Sequence, residues 1–196
     1  MTRRDQTLKR AMDLTFSVAG LIVLWPVILL TAVLARWDTG ASGIFRQERI
    51  GRHGRRFRLL KVRTMRPVDG TTITTCLDDR ITPLGAKLRR LKLDELPQLW
   101  NVLRGDMSLV GPRPDVPGWA DRLEGDARAL LALRPGITGP ATLRFREEEK
   151  ILGAASDPER HNAEVIWPEK VRLNLAYMEE WSLRGDVDYI ARTVFG

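Results

Sequence analysis

The longest apolar run in the chain covers residues 14–35, LTFSVAGLIVLWPVILLTAVLA, and contains no charged residue. It is long enough to cross a bilayer as a helix. Pro26 lies near its middle, where it removes a backbone hydrogen bond and predicts a helix break. Both flanks are basic, with Arg3, Arg4, Lys9 and Arg10 before the run and Arg36, Arg46 and Arg49 after it. Charge bias therefore sets no direction of crossing. A spanning helix and a re-entrant helix that leaves by the face it entered both fit. No small-residue cleavage site follows the run, so a signal peptide does not.

Beyond the run the pattern shortens. Ile44–Ile50 and residues 57–63 read as two strands joined by a tight turn at Gly51 and Gly54. Residues 67–77 are polar and predict a loop. Thr82-Pro83 reads as an N-cap followed by proline at the first helical position, opening a helix to about Leu91 that buries Leu84, Leu88 and Leu91. Leu96, Leu99, Trp100 and Leu103 recur at helical spacing, with Pro97 in the first turn and Gly105 as the stop. Asp94 then falls near the N-cap, where free backbone N–H groups favour an anion. Residues 117–133 read as an amphipathic helix. Residues 134–140 form a turn-rich loop in which Gly136 and Gly139 allow close approach of a ligand or a neighbouring segment.

Residues 157–184 read as a long helical region broken at Pro168, with Val171, Leu175, Met178 and Trp181 as its apolar stripe. Trp167, Tyr177 and Trp181 suit either a membrane interface or a core. Gly185-Asp186 punctuates, and a short helix ends the chain. The pattern predicts an α+β, mostly helical fold. It has an N-terminal membrane helix (residues 1–37), and residues 38–196 form one domain with a small β-hairpin and amphipathic interfacial helices.

Charge narrows the function. The chain has 196 residues, a formal net charge of +7 and a sequence pI near 10.2. That excess points to an anionic partner: a phosphorylated substrate, acidic lipid or nucleic acid. Cys76 is the only cysteine and there are two histidines, which excludes an intramolecular disulfide and a Cys- or His-rich metal centre. The basic stretch from Arg46 to Arg66 opposes its cations only with Glu48, but its aromatics, Phe45 and Phe57, are too sparse for a nucleic-acid platform. Arg52, Arg55 and Arg56 read as a solvated or lipid-facing turn. Lys61 and Arg63 share one strand face and are phosphate candidates. Arg89 precedes Asp94 closely enough to fold back beside it. Gly111-Pro112-Arg113-Pro114 is a rigid loop presenting one guanidinium. Glu147, Glu148 and Glu149 point to different helix faces and read as a solvated run rather than a metal cluster. Taken alone, Asp94 and Glu95 are a cap and a first-turn acid.

Their setting resembles the bacterial sugar transferases, the small monotopic phosphoglycosyl transferases. The resemblance rests on FRQERIG (45–51), KVRTM (61–65), ITPLG (81–85), LDELPQLWNVLRGDMSLVGPRP (93–114), RPGITG (134–139) and EEWSLRGDVDYIARTV (179–194), in that order. It implies a re-entrant helix and an enzyme at the cytoplasmic face of the inner membrane. Such an enzyme moves a sugar-1-phosphate from a UDP-sugar to a polyprenyl phosphate such as undecaprenyl phosphate, releasing UMP with Mg²⁺. By position, Asp94 is the expected nucleophile and Glu95, with Asp94, the expected Mg²⁺ ligand. Lys61, Arg63, Arg89, Gln98 and Arg113 are the expected substrate or phosphate contacts. No nucleic acid is expected as a partner, and exposed interfacial helices would permit a homodimer. Trp25, Lys92, Pro140, Thr142 and Asn174 depart from the residues common in that family; at Asn174 the common residue is Asp. Two other readings fit the charge and the apolar helix but not DELPQ: a non-enzymatic membrane-anchored basic module and a single-pass scaffold.

Overall fold

The first helix, α1 (Arg3–Thr39), opens on a reciprocal cap: Asp5 N donates to Thr2 Oγ1 and Thr2 N donates to the Asp5 carboxylate. It stops at Gly40, whose φ of 69° is the left-handed turn glycine accepts best. The computed structural model describes residues 1–67 and 79–196; the loop expected over 67–77 lies, apart from Pro67, outside the described residues. α1 is continuous through Pro26, which corrects the expected helix break. A proline withdraws a single N–H, and here packing on both sides of it holds the helix together. One face is buried at Lys9, Asp13 and Ser17 on the N-terminal side and at Thr31, Ala35 and Thr39 on the C-terminal side. The other face exposes Phe16, Ile22, Val23, Trp25, Leu29 and Leu30. Both ends of this 37-residue helix thus engage the same body of protein.

β1 (Ile44–Ile50) and β2 (Arg56–Val62) pair antiparallel from Ile44↔Val62 to Ile50↔Arg56, one residue off the expected second strand. α2 (Pro83–Arg90) carries the expected cap, with Gly85 N donating to Thr82 Oγ1. Leu88 is buried, but Leu91 is 60 % exposed, because α2 stops before it and Lys92 turns left-handed at φ 58°. Leu93–Glu95 then form a 3₁₀ turn before α3 (Gln98–Arg104), which ends at Gly105 as expected. Asp94 therefore sits inside a tight turn and not at a helix N-cap. On α3 the buried positions are Gln98, Leu99, Asn101 and Val102; Trp100 faces outward, so the expected apolar face is rotated. Asn101 fixes that rotation: its Nδ2 donates to Arg58 O and its Oδ1 accepts from Leu60 N, stitching α3 to β2.

β3 (Ser108–Val110) pairs in parallel with β4 (Gly136–Thr138), a strand inside the segment expected to be a loop. The glycines there serve a neighbouring segment. A Cβ on Gly136 would lie 2.1 Å from Gly111 N, and one on Gly139 would lie 2.4 Å from Gly111 O. Residues 117–133 hold no α-helix but 3₁₀ segments at Ala120–Arg122 and Gly125–Ala132, since Gly118 and Gly125 take positive φ. α4 (Pro140–Arg144), α5 (Glu148–Ala154) and α6 (Pro158–His161) lead through a π turn at Asn162–Ile166 into α7 (Trp167–Glu179), with Pro168 in its first turn rather than at a break. The chain closes on α8 (Leu183–Phe195). α7 buries Lys170, Asn174 and Tyr177 instead of the expected apolar stripe. The main core joins Leu59, Leu99, Val102, Met107, Leu109, Val110 and Tyr177, and partly buried Trp181 packs on it. Tyr177 and Trp181 are therefore core rather than interfacial residues, and the fold is α+β with helix predominant.

Candidate active site

Three short elements converge on Asp94 and Glu95. The 3₁₀ turn buries both carboxyls, to 4 % and 9 % exposure. β2 brings Lys61 Nζ to 3.1 Å from Glu95 Oε1 and 3.8 Å from Asp94 Oδ2. The loop after β3 brings Arg113 Nη1 to 3.6 Å from Glu95 Oε1. Arg113 is placed by the parallel strand pair, because Gly136 N donates to the carbonyl of Pro112 next to it. Gln98, buried on α3, lines a recess of about 240 Å³ with Lys61, Glu95, Arg113 and Arg49.

The two acids differ electrostatically. Burial pushes the Asp94 carboxyl up and the Glu95 charge adds to this, against the pull of Lys61. Burial acts on Glu95 too, but Lys61 and then Arg113 outweigh it and hold its pKa down at about 2. Glu95 is thus a fixed anion, and Asp94 is a carboxylate short of stabilising partners. Asp94 Oδ1 is buried with no hydrogen-bond partner among the described residues. Such an atom suits a ligand that arrives with positive charge. Among the described residues no cluster of three His, Cys, Asp or Glu exists. The donor set is then two adjacent carboxylates, which suits Mg²⁺, an ion that takes one or two carboxylates and completes its shell with phosphate oxygens and water.

The remaining expected contacts divide. Arg89 is near enough for its charge to favour the Asp94 anion. Its guanidinium, however, donates to Thr64 Oγ1 at 3.0 Å and Glu149 Oε1 at 2.7 Å. Arg63 does not join the site: it donates to Ser42 O at 2.7 Å and lies over the Phe45 ring at 5.3 Å. β2 ends at Val62, so the strand alternation that would align Arg63 with Lys61 has stopped. The Glu147–Glu149 run is partly structural, because Glu148 pairs with Lys170 and Glu149 with Arg89.

Sequence reasoning missed Arg49, which donates to Gln47 Oε1 and Pro114 O. Burial and then the Arg113 charge push its pKa down to about 10. It also missed a cleft of about 550 Å³ that shares Arg113 with the recess and receives Asp115, Trp167, Lys170 and Asn174. Both draw on segments far apart in the chain, FRQERIG, the Arg113 loop and α7 among them, so only their folding together reveals them.

A family model described as bacterial sugar transferase matches residues 4–196. The UDP-glucose:undecaprenyl-phosphate glucose-1-phosphate transferase of Caulobacter vibrioides is 35 % identical over 95 % of this chain and 68 % of its own length. The exopolysaccharide production protein ExoY of Sinorhizobium fredii is 32 % identical over 95 % of this chain and 83 % of its own. The undecaprenyl-phosphate glucose phosphotransferase of Komagataeibacter xylinus is 37 % identical over 97 % of this chain, which spans 36 % of that longer protein. The match runs through the carboxylate turn, the strand that carries Lys61 and the loop that carries Arg113. This chain belongs to the bacterial sugar transferase family.

Proposed function

We propose that this protein transfers a sugar-1-phosphate from a UDP-sugar to a polyprenyl phosphate such as undecaprenyl phosphate, releasing UMP, and so begins the assembly of a membrane-bound glycan. The observation that carries the reading is the buried Asp94–Glu95 pair, with Lys61 and Arg113 against it and one Asp94 oxygen unpartnered among the described residues. The names of the Caulobacter and Komagataeibacter relatives support the reaction class.

A diphosphate repels an anionic nucleophile, so its charge must be neutralised by groups already in place. Lys61 and Arg113 supply fixed positive charge at the mouth of the turn. Glu95, held ionised by them, and Asp94 would hold Mg²⁺, which when bound supplies Lewis-acid charge neutralisation of the diphosphate. Asp94 attacks the β-phosphorus through a carboxylate oxygen, the bond from that phosphorus to the bridging oxygen breaks, and UMP leaves with the electron pair. An acyl-phosphate sugar remains on Asp94. An oxygen of the polyprenyl phosphate then attacks the same phosphorus and the Asp94 carboxylate is released. The two steps let a soluble and a lipid substrate use the site in turn.

The helix reading belongs to the same proposal: residues 1–37 insert in the inner membrane from the cytoplasmic face and return to it, and residues 38–196 form the catalytic domain. α1 reaches a mean hydropathy of 2.6 over its most apolar 18 residues, and 11 % of that window is buried in the protein. Both of its ends pack on the domain, through Lys9 on Asp186 and through Ala35 beside Val62 and Leu88. Contact of both ends with the one domain supports a path that leaves by the face it entered. The test is UMP release from a panel of UDP-sugars with polyprenyl phosphate. Activity abolished by EDTA and restored by Mg²⁺, with a phosphosugar adduct trapped on Asp94, is the expected result. Salt-sensitive DNA binding without UMP release would instead favour the basic module.

A further inference from the structure

The larger cleft beside the catalytic recess takes no part in the steps above. The two cavities share Arg113, so a ligand whose diphosphate meets Arg113 and Glu95 has one end at the mouth of this cleft. Its walls are mainly apolar, with Leu130, Leu133, Val171 and Trp167 among them. Of the polar side chains in it, Lys170 is committed to Glu148 at 2.7 Å. Asn174 is different. It is 6 % exposed, it lines the cleft, and its Oδ1 has no hydrogen-bond partner among the described residues. A buried amide oxygen left without a partner costs roughly 1–3 kcal/mol. An apolar side chain of the same size would carry no such cost, so the position suits a ligand that brings an N–H or O–H.

We propose that this cleft holds the uracil base of the donor nucleotide, with Asn174 Oδ1 accepting the imide N3–H of the base. The proposal rests on the transferase reading and adds to it the group that reads the nucleotide. A planar base presents two apolar faces to leucine, valine and tryptophan walls and needs few polar partners. A hexose carries hydroxyls around its ring, most of which these walls would leave unbonded. A prenyl chain offers nothing for Asn174 Oδ1 to accept. α1 packs chiefly on α3 and also on α2, β1, β2, β3, α8 and the Leu93–Glu95 turn; of these only β1 reaches the cleft, through Ile50, while the Gly125–Ala132 segment and α7 that form most of its wall are not among the main partners of α1. A soluble substrate therefore suits it better than a lipid.

The test compares the full chain, in detergent or nanodiscs, with Asn174→Leu and Asn174→Asp. Calorimetry reads binding of UMP and of its N3-methyl analogue. The wild type is expected to bind UMP roughly 10- to 100-fold more tightly than the methylated form, the yield of one buried hydrogen bond. Asn174→Leu should lose that margin and bind both weakly, while inorganic pyrophosphate binds both proteins alike. Asn174→Asp keeps an acceptor in place and should keep the margin, which separates base recognition from damage to the fold. With UDP-sugar, Asn174→Leu should raise KM by the same factor and leave kcat unchanged. Equal binding of UMP and the methylated form by the wild type overturns the proposal. So does a raised UDP-sugar KM with unaltered UMP affinity, which would place the sugar at Asn174. Because the binding arms need no turnover, a chain that binds UMP with this margin but releases none from any UDP-sugar sinks the transferase reading and upholds the base site.

Discussion

Lys9, near the start of α1, forms an ion pair with the fully buried carboxylate of Asp186 at 2.5 Å, across almost the whole length of the chain. Asp186 also accepts from Tyr177 Oη at 2.7 Å and Trp181 Nε1 at 3.0 Å, so three donors converge on one carboxylate. This cluster fastens α1 to α7 and α8. Removing a single partner leaves a buried charge uncompensated, which costs about 3–5 kcal/mol. Asp186→Ala is expected to lower stability by that amount in thermal or denaturant unfolding. The double variant Lys9→Met, Asp186→Leu should recover much of it, because neither charge is then stranded.

Asp94→Asn is expected to abolish turnover, by roughly 10³-fold or more, since the amide is no nucleophile. The same change should stabilise the protein at neutral pH. Burial raises the folded pKa of Asp94, and Glu95 adds to the rise. A group with a raised folded pKa contributes stability below its unfolded value, and that contribution is lost as pH rises through the folded value. Ionising Asp94 in the folded protein is therefore a burden that Asn removes. Melting temperatures of the two proteins should differ at pH 7 and converge toward pH 4; an unstabilised Asp94→Asn at pH 7 would contradict the electrostatic assignment.

How much of this was legible in the sequence depends on how local each determinant is. The hairpin, the Thr82-Pro83 cap and the Gly105 stop rest on interactions within a few residues, and they fold as read. The turn holding Asp94 does not: Lys92 takes a left-handed conformation and Asn101 rotates α3 through bonds to β2, neither of which a helical period encodes. Lys61 and Arg113 were identified and do meet Glu95, whereas Arg63 was lost to one residue of strand length. The helix at 117–133 failed because Gly118 and Gly125 take left-handed φ in a stretch whose apolar spacing alone suits a helix. Asp186 read as punctuation because its three partners come from α1, α7 and the approach to α8.

Lys61 is the first of the cations that hold Glu95 ionised, with a pKa near 2. A depressed carboxyl contributes stability above its unfolded value of 4.5, and that contribution is lost as pH falls through the folded value. Lys61→Met should move the loss to higher pH, so its acid unfolding midpoint rises above that of the wild type. Turnover should fall as well, with the Mg²⁺ requirement retained. Glu95→Gln tests the other side of the pair: its rate should demand more Mg²⁺, and normal activity at low Mg²⁺ would remove Glu95 from the metal.

Gly136 couples the fold to the site through its backbone. Its missing Cβ is replaced in space by Gly111 N at 2.1 Å and Thr138 O at 2.6 Å, both backbone atoms that cannot rotate away. Gly136→Ala must therefore part β3 from β4, which carries the Arg113 loop through the Gly136–Pro112 hydrogen bond. A loss of about 3 kcal/mol or more is expected in unfolding. Turnover should drop in the fraction that remains folded. Full activity in a stable Gly136→Ala protein would mean that Arg113 does not depend on the strand pair.

Asp115 supplies a titration close to physiological pH. Burial raises its pKa to about 6, against the pull of Lys170, Arg49 and Arg113. Its sign is that of Asp94: stability is present below the unfolded value of 3.8 and is lost as pH rises through about 6. Asp115→Asn should thus stabilise the protein above pH ~7 by roughly 1–2 kcal/mol after solvent screening, and by nothing below pH ~4. Because Asp115 lines the cleft that shares Arg113 with the recess, ionisation there also adds negative charge near an anionic donor. The KM for UDP-sugar should accordingly rise between pH 5 and 7 in the wild type and stay flatter in Asp115→Asn. Parallel KM profiles in the two proteins would show that the charge on Asp115 does not reach the donor.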